Sequence, residues 1–233
     1  MRSLDEVAKS SLYTTKTGSA TILYSYEIFL RYAVKDGSVL ELGPAEGLMT
    51  ERLLKQFSDV TVVEGSVEFC EILSKKFNDV EVVHTLFEDF SSSRKFDNII
   101  LGHVLEHVND PSLVLEHIAK FLSPGGMIFC AVPNSASVHR QAAVLLGLLE
   151  AEDSMSELDI HHGHQRVFNP DSLRKVFSSV NLDIKHFGGY WLKPLSNAQL
   201  EESWTSDMLD AFMVLGERYP EIAGEIYIVA GVR

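Results

Sequence analysis

Val39-Leu40-Glu41-Leu42-Gly43-Pro44-Ala45-Glu46-Gly47 is the stretch on which the reading of this chain turns. A short strand-like run enters a turn with two glycines, and apolar residues at helical spacing follow over 48–57. Glycines at a strand-to-helix junction let a ligand approach the backbone closely, and the helix start offers N–H groups without intrahelical partners. The next apolar run, Val60-Thr61-Val62-Val63, ends in Glu64, 17 residues after Gly47. A carboxylate there can accept hydrogen bonds from two ribose hydroxyls, as in nucleoside-binding α/β folds.

Upstream, Ile22, Leu23, Tyr26, Phe29, Leu30 and Ala33 recur at three- and four-residue spacing, which predicts an amphipathic helix over 17–34, ended by Asp36-Gly37. Downstream, Ser66 is placed to cap a helix over 67–77, and 80–83 reads as a third strand. Residues 96–101 form a fourth. Asp110-Pro111 supplies a cap and a first-turn proline for a helix carrying Val114, Leu115, Ile118, Phe121 and Leu122. Ser123-Pro124-Gly125-Gly126 ends that helix, and 127–132 is the fifth strand. This alternation predicts parallel βαβ crossovers and a helix-flanked parallel sheet. It then stops. Residues 134–169 hold an apolar helix near 137–149 and a stretch, 150–159, in which five of ten residues are acidic and none basic. That stretch reads as a solvated loop or as part of a mobile lid over a site. Asn169-Pro170-Asp171 opens another helix, 182–192 is strand-like, 197–216 largely helical, and 226–232 a closing strand.

The 233 residues amount to roughly one and a half average domains, with 45% hydrophobic and 23% charged content typical of a folded globular chain. Twenty basic residues against thirty-three acidic ones leave a net charge of −13, which repels nucleic-acid phosphates and anionic lipid, and no basic patch offsets it. Cys70 and Cys130 lie in apolar runs, as structural thiols of a reducing, cytoplasmic setting would. The first residues lack a signal-peptide core, and the longest apolar stretch, 142–149, is too short to cross a bilayer. The expectation is a cytoplasmic protein without nucleic-acid partner or membrane insertion. No oligomeric state can be read from it.

Dinucleotide enzymes require G-x-G-x-x-G, and the spacing Gly43-x-x-x-Gly47 with Met49 beyond it does not meet that fingerprint, which disfavours an NAD-dependent oxidoreductase. The run resembles instead the first motif of class I S-adenosylmethionine-dependent methyltransferases: an acidic residue, one spacer, then G-x-G-x-G. Glu41, Gly43 and Gly47 match, and Ala45 stands for the middle glycine. Three later segments, in order, are similar to the ubiquinone-biosynthesis-like branch of that family (types 11, 12 and 23). They are 96–111, containing Leu101-Gly102-His103-Val104-Leu105-Glu106-His107-Val108; Leu122-Ser123-Pro124-Gly125-Gly126; and His161-His162-Gly163-His164-Gln165-Arg166-Val167-Phe168.

The resemblance implies a Rossmann-like, seven-stranded, mainly parallel sheet with an antiparallel last strand. It implies one methyltransferase domain over 1–233: a helical cap at 1–36, a cofactor-binding core at 37–133, a lid insert at 134–169, and a C-terminal part at 170–233 with a helical insert at 193–223. The cofactor would be S-adenosyl-L-methionine. Gly43 and Gly47 would hold its methionine end, Glu41 its ammonium group through water, Glu64 its ribose, and the Gly102 carbonyl would face the methionine amino group. A plain capping role for Glu41 is the alternative. Leu86 occupies the position of the family's adenine-contacting acid, which leaves the adenine to Phe87 and backbone groups. Methyl transfer to a small molecule, most simply to oxygen, is then expected, with His103, His161, His162 or His164 as base or acceptor contact. His103 stands where relatives carry a carboxylate at a metal-assisted site. His107 reads as a structural hydrogen bonder, and His84, His117, His139 and His186 as structural. No metal ligands are assigned, because His-x-x-His without nearby cysteine is not a zinc pattern. Ala45 and Leu86 keep a catalytically silent nucleoside- or partner-binding domain as the rival reading.

Overall fold

The computed structural model describes residues 14–232, so 1–13 of the expected N-terminal cap lie outside the described residues. The order is α1 (Lys16–Tyr32), β1 (Val39–Leu42), α2 (Leu48–Leu53), β2 (Val60–Glu64), α3 (Val67–Lys76), β3 (Glu81–His84), β4 (Phe96–Gly102), α4 (Pro111–Ala119), β5 (Leu122–Pro133), α5 (Val138–Leu145), α6 (Glu157–His162), α7 (Pro170–Ser178), β6 (Leu182–Tyr190), α8 (Asn197–Ser203), α9 (Ser206–Arg218) and β7 (Glu225–Val232). The strands form one sheet in the order β3-β2-β1-β4-β5-β7-β6. Only β7 runs against the rest, since it pairs antiparallel with both β5 and β6. The Rossmann-like expectation, including its antiparallel last strand, is met.

Alternation along the central strands sorts the core into two layers. Leu40, Leu42, Ile99, Leu101, Ile128 and Cys130 face one side and pack with Val114, Leu115 and Ile118 of α4 and Leu173 and Phe177 of α7. Val39, Ile100, Phe129 and Ala131 face the other, against Tyr26 and Phe29 of α1, Met49 and Leu53 of α2, Leu73 of α3, and Leu209 and Met213 of α9. A sheet buried on both faces needs strands that are largely apolar, and β1 and β2 are buried at every position, with Glu41, Thr61 and Glu64 their polar residues. The caps form as their residue types dictate. Ser66 Oγ accepts from Phe69 N (3.3 Å), and Asp110 Oδ1 accepts from Ser112 N (3.0 Å) and Leu113 N (3.1 Å).

Three boundaries differ from expectation. The helix expected over 48–57 is regular only to Leu53, then tightens into turns in which Lys55 N bonds Arg52 O and Gln56 N bonds Leu53 O. Ser123-Pro124-Gly125-Gly126 does not sit between helix and strand. It lies within β5 as an excursion, because Phe96 pairs with Leu122 while Asn98, two residues on, pairs with Met127. The acidic stretch is not a solvated loop throughout: Ser156 and Asp159 form a capping box that starts α6, and Asp159 is buried.

Helix α9 approaches β6 so closely that a Cβ on Gly216 would stand 2.2 Å from Trp191 N and 2.4 Å from Tyr190 C. Gly216→Ala is therefore expected to destabilise the protein by about 1–3 kcal/mol despite its gain in helix propensity, lowering Tm by several degrees in a thermal melt. An unchanged or raised Tm would show that α9 can lift from the sheet without loss.

Candidate active site

The strand order reverses between β1 and β4. These strands are adjacent, with Leu42 opposite Leu101, so Gly43 and Gly102 leave the sheet side by side. The helices that follow, α2 and α4, go to opposite faces, and a crevice opens at the carboxyl ends of the strands. It holds a cavity of about 360 Å³ lined by the 43–46 loop together with Glu41, Glu64, Phe87, Gly102, His103 and His162.

The loop is built from alternating left-handed residues: Gly43 (φ +65°), Ala45 (φ +48°) and Gly47 (φ +76°). Gly47 does not face the cavity. A Cβ there would stand 2.5 Å from the Phe77 ring, so this glycine lets α2 settle against α3. Gly43 forms the cavity floor, over Val104 and Phe87, and a Cβ on Gly102 would meet nothing within 4 Å because its Cα faces open space. Glu41 is buried and accepts from Thr50 Oγ1 (2.6 Å). Burial raises its pKa to about 7 in spite of that bond, with the Glu64 charge adding to the rise. Glu64 Oε1 accepts from Ser66 N (2.8 Å), and burial outweighs its backbone N–H partners to push its pKa up. Leu86 is half exposed and outside the lining, whereas Phe87 is in it. Two buried carboxylates line this cavity, Glu41 in β1 and Glu64 at the end of β2 beside a helix start, and they could hold the ammonium and ribose of S-adenosylmethionine.

A second, smaller chamber of about 150 Å³ adjoins the first, and Ile22, His103 and His162 line both. His103 stands at their junction on a left-handed backbone (φ +57°), its N–H donating to Ala131 O (2.8 Å). Its Nδ1 lies 3.4 Å from Glu106 Oε1 and its Nε2 3.8 Å from Glu225 Oε2. Burial opposes a charge on His103, yet these carboxylates raise its pKa to about 9. Glu106 is buried too, but the imidazolium beside it brings its pKa to about 2. Burial and neighbouring histidines lower His162 to about 4. On the far wall Asp159 accepts from Arg140 Nη1 (3.0 Å) and Ser156 Oγ (2.6 Å) and pairs with His164 Nδ1 (3.1 Å). Burial works against the Asp159 charge, but these partners hold its carboxyl well below the usual range.

The fold thus brings Glu41, Gly43, Glu64, Phe87, Gly102, His103 and His162 to one crevice and places His164 in the inner wall, while His161 lines neither cavity. Sequence reading missed Glu106, Glu225, Lys193, Trp191 and Arg140, which come from four separate segments, and it set His139 aside as structural. One signal was available for the Asp159 corner: Ser156-x-x-Asp159 is a capping-box spacing. Among the described residues, the donor atoms that could hold a metal ion are those of Glu106, His107 and His164, all within 4.8 Å of one another, so His164 alone of the 161–164 triplet takes part. No helix among the described residues is long and apolar enough to cross a membrane.

A family model described as a methyltransferase domain matches residues 24–186, well over half of the chain. The chain belongs to this family. Its cofactor is S-adenosylmethionine, as its motifs imply. The methyltransferase is 28% identical over 190 residues to a ubiquinone biosynthesis O-methyltransferase of Rhizobium leguminosarum, a match covering 79% of this chain and 73% of the relative. Its fold is similar to the structure of a complex between the Haloferax volcanii Trm112 methyltransferase activator and a putative methyltransferase (TM-score 0.69, 17% identity, 100% and 99% of the two chains). It is also similar to the N-methyltransferase NodS of Bradyrhizobium japonicum in complex with S-adenosyl-L-homocysteine (TM-score 0.56, 15% identity, 95% and 90%).

Two outcomes are expected. Ala45→Gly removes a left-handed strain of about 1–2 kcal/mol and loses part of that to added unfolded-state freedom, so it should stabilise the methyltransferase by up to about 1 kcal/mol and keep cofactor affinity. A clear loss in urea unfolding would show that the Ala45 methyl packs. Glu41 has a raised folded pKa: below about 4.5 both folded and unfolded states hold the proton, and between there and about 7 only the folded one keeps it. Stability owed to this group therefore falls as pH rises and stays low above about 7. Glu41→Gln should raise stability by roughly 2–3 kcal/mol at pH 8 and much less at pH 5, while weakening S-adenosylmethionine binding in calorimetry. Equal stability gains at both pH values would refute the buried-carboxyl account.

Proposed function

We propose that this methyltransferase transfers a methyl group to a hydroxyl oxygen of a small molecule seated in the inner chamber, with His162 taking the hydroxyl proton. The observation that carries this reading is the contrast between the two junction histidines. Both line both cavities, but burial keeps His162 unprotonated at neutral pH while Glu106 and Glu225 keep His103 protonated. An unprotonated imidazole can accept a proton, and an imidazolium can stabilise the negative charge that develops on the oxygen. The O-methyltransferase name of the Rhizobium relative supports oxygen as the acceptor atom.

The bound cofactor supplies an electrophilic methyl on sulfur. Gly43, Glu41, Glu64 and Gly102 would anchor it in the outer cavity, and Phe87 would cover its adenine. Methyl transfer is an in-line displacement, so rate depends chiefly on holding donor and acceptor aligned in a water-poor space. Residues 134–169 serve as the lid over that space within a single domain: His139, Arg140, Ser156, Asp159 and His162 already wall the chamber. Arg140 ties the segment together by donating to Glu152 O (2.7 Å) and Ser154 O as well as to Asp159. A metal-assisted form of the same reaction has one observation behind it, the Glu106–His107–His164 group, which would hold an ion able to acidify the hydroxyl. Turnover that survives dialysis against a chelator would exclude it.

Measured against pH, kcat/KM should be level from about 5 to 8, falling on the acid side as His162 protonates and on the alkaline side as His103 loses its proton. His162→Asn should lower kcat by about 10²–10⁴-fold and leave S-adenosylmethionine affinity nearly intact. A profile that instead rises through pH 9, with full activity in His162→Asn, would transfer the base role to His103.

A further inference from the structure

Charges buried in the inner chamber meet opposite charges within 4.0 Å, with one exception among the described residues. His103 faces Glu106 and Glu225, and Arg140 and His164 share Asp159. The Lys193 side chain lines the same chamber, is 8% exposed, and makes no hydrogen bond or ion pair among the described residues. Its ammonium lies 4.9 Å from the centre of the Trp191 ring. That ring also walls the chamber, and its Nε1 is buried without a hydrogen-bond acceptor. Glu225 and Asp159 act on this ammonium from beyond ion-pair distance, so its N–H groups are left without an acceptor, and an unpaired buried N–H is costly in the indole as well. Both are cations or donors. What both lack is a hydrogen-bond acceptor.

The backbone presents them at a strained point. Trp191 is a bulky residue at φ +60°, 2% exposed, where left-handed conformations are outliers. Its N–H donates to Met213 O (3.1 Å), and its carbonyl accepts from Lys193 N and Gly224 N (2.7 Å each), so the surrounding chain holds the conformation in place. Strain of this kind gathers at ligand clamps.

We propose that the Lys193 ammonium and the Trp191 indole N–H form a carboxylate-binding subsite, and that the methyl acceptor is a small carboxylic acid which also bears the hydroxyl to be methylated. This rests on the reading of the inner chamber as the acceptor site. A cationic acceptor is the worse match, because the two carboxylates it would need already face His103 at 3.4 and 3.8 Å. A phosphate dianion would bring two negative charges next to Glu225 and Asp159 with one ammonium to meet them. About 150 Å³ is the size of a cavity that takes one six-membered ring.

The test uses three ring probes of one shape: 4-fluorobenzoate, 4-fluorobenzamide and 4-fluorobenzylamine. Each is titrated by fluorine NMR against the full chain, with and without saturating S-adenosylhomocysteine, whose own affinity is measured separately by calorimetry. The carboxylate should bind roughly ten-fold or more tightly than the amide, and the amine weakest. Lys193→Met should bring the carboxylate down to the level of the amide, Trp191→Phe should cost it several-fold, and Lys193→Arg should keep the preference. All three variants should bind S-adenosylhomocysteine as the parent does, which also shows that they fold. Absent or amide-like binding of 4-fluorobenzoate, tightest binding of the amine, or a preference that survives Lys193→Met would each overturn the proposal. Failure of S-adenosylhomocysteine to bind the parent protein would strike at the methyltransferase reading instead.

Discussion

Strand order reverses between β1 and β4, and the rest of the molecule is arranged around that fact. Right-handed crossovers oblige α2 and α4 to leave on opposite faces, so neither covers the gap where the two strands end. A crevice is therefore a consequence of topology before any functional residue is placed in it. The polar groups then sit on or next to strand ends: Glu41 in β1, Glu64 closing β2, His103 directly after β4, and Glu225 opening β7. Positions fixed by a packed sheet are precise, and precision is what alignment of two reacting molecules requires.

The same placement explains the electrostatics. At the ends of an apolar sheet, each charged group has lost most of its water, and its protonation is decided by whatever faces it. Glu41 has only Thr50 and keeps its proton nearly to neutrality, whereas Glu106 faces an imidazolium and stays ionised. His103 and His162 share two cavities yet hold opposite states, because burial, helped by neighbouring histidines, lowers His162 while carboxylates overcome burial at His103. Identity of residue type says little here; the neighbour decides.

Much of this was legible in the chain alone because it depends on local rules. The glycine turn after β1, the Ser66 and Asp110 caps, and the alternation of strands and helices are set by neighbours in sequence, and all appear where expected. Gly43 and Glu64 were readable because each sits at a strand end that its apolar run locates. Glu41 and Gly102 were named only through the resemblance to methyltransferase motifs, and the fold brings all four to one crevice. The inner chamber was not legible. Glu106, Arg140, Lys193 and Glu225 meet only after the sheet has closed, and nothing in the segments around them signals the meeting. Nor does sequence disclose that His103 and Trp191 adopt left-handed backbones, since neither is a glycine. Ser123 to Gly126 misled for the opposite reason: a strong local turn signal was absorbed as an excursion within β5 because flanking residues on both sides pair with β4.

The position of β7 bears on how the protein reaches this state. It is inserted between β5 and β6, so β6 has no strand partner other than β7 and cannot join the sheet before it. A chain emerging from the ribosome can assemble β1 to β5 and the segments before β6 that line the outer cavity while 182–190 still has an unpaired edge. Because β7 runs antiparallel, its first residue, not its last, reaches the rim, and that residue is Glu225. The carboxylate that flanks His103 is thus among the last groups to be put in place. Donor binding and acceptor chemistry become separable in time during synthesis, and the acceptor half rests on pairings of high sequence separation, such as Leu182 with Val232, that form slowly.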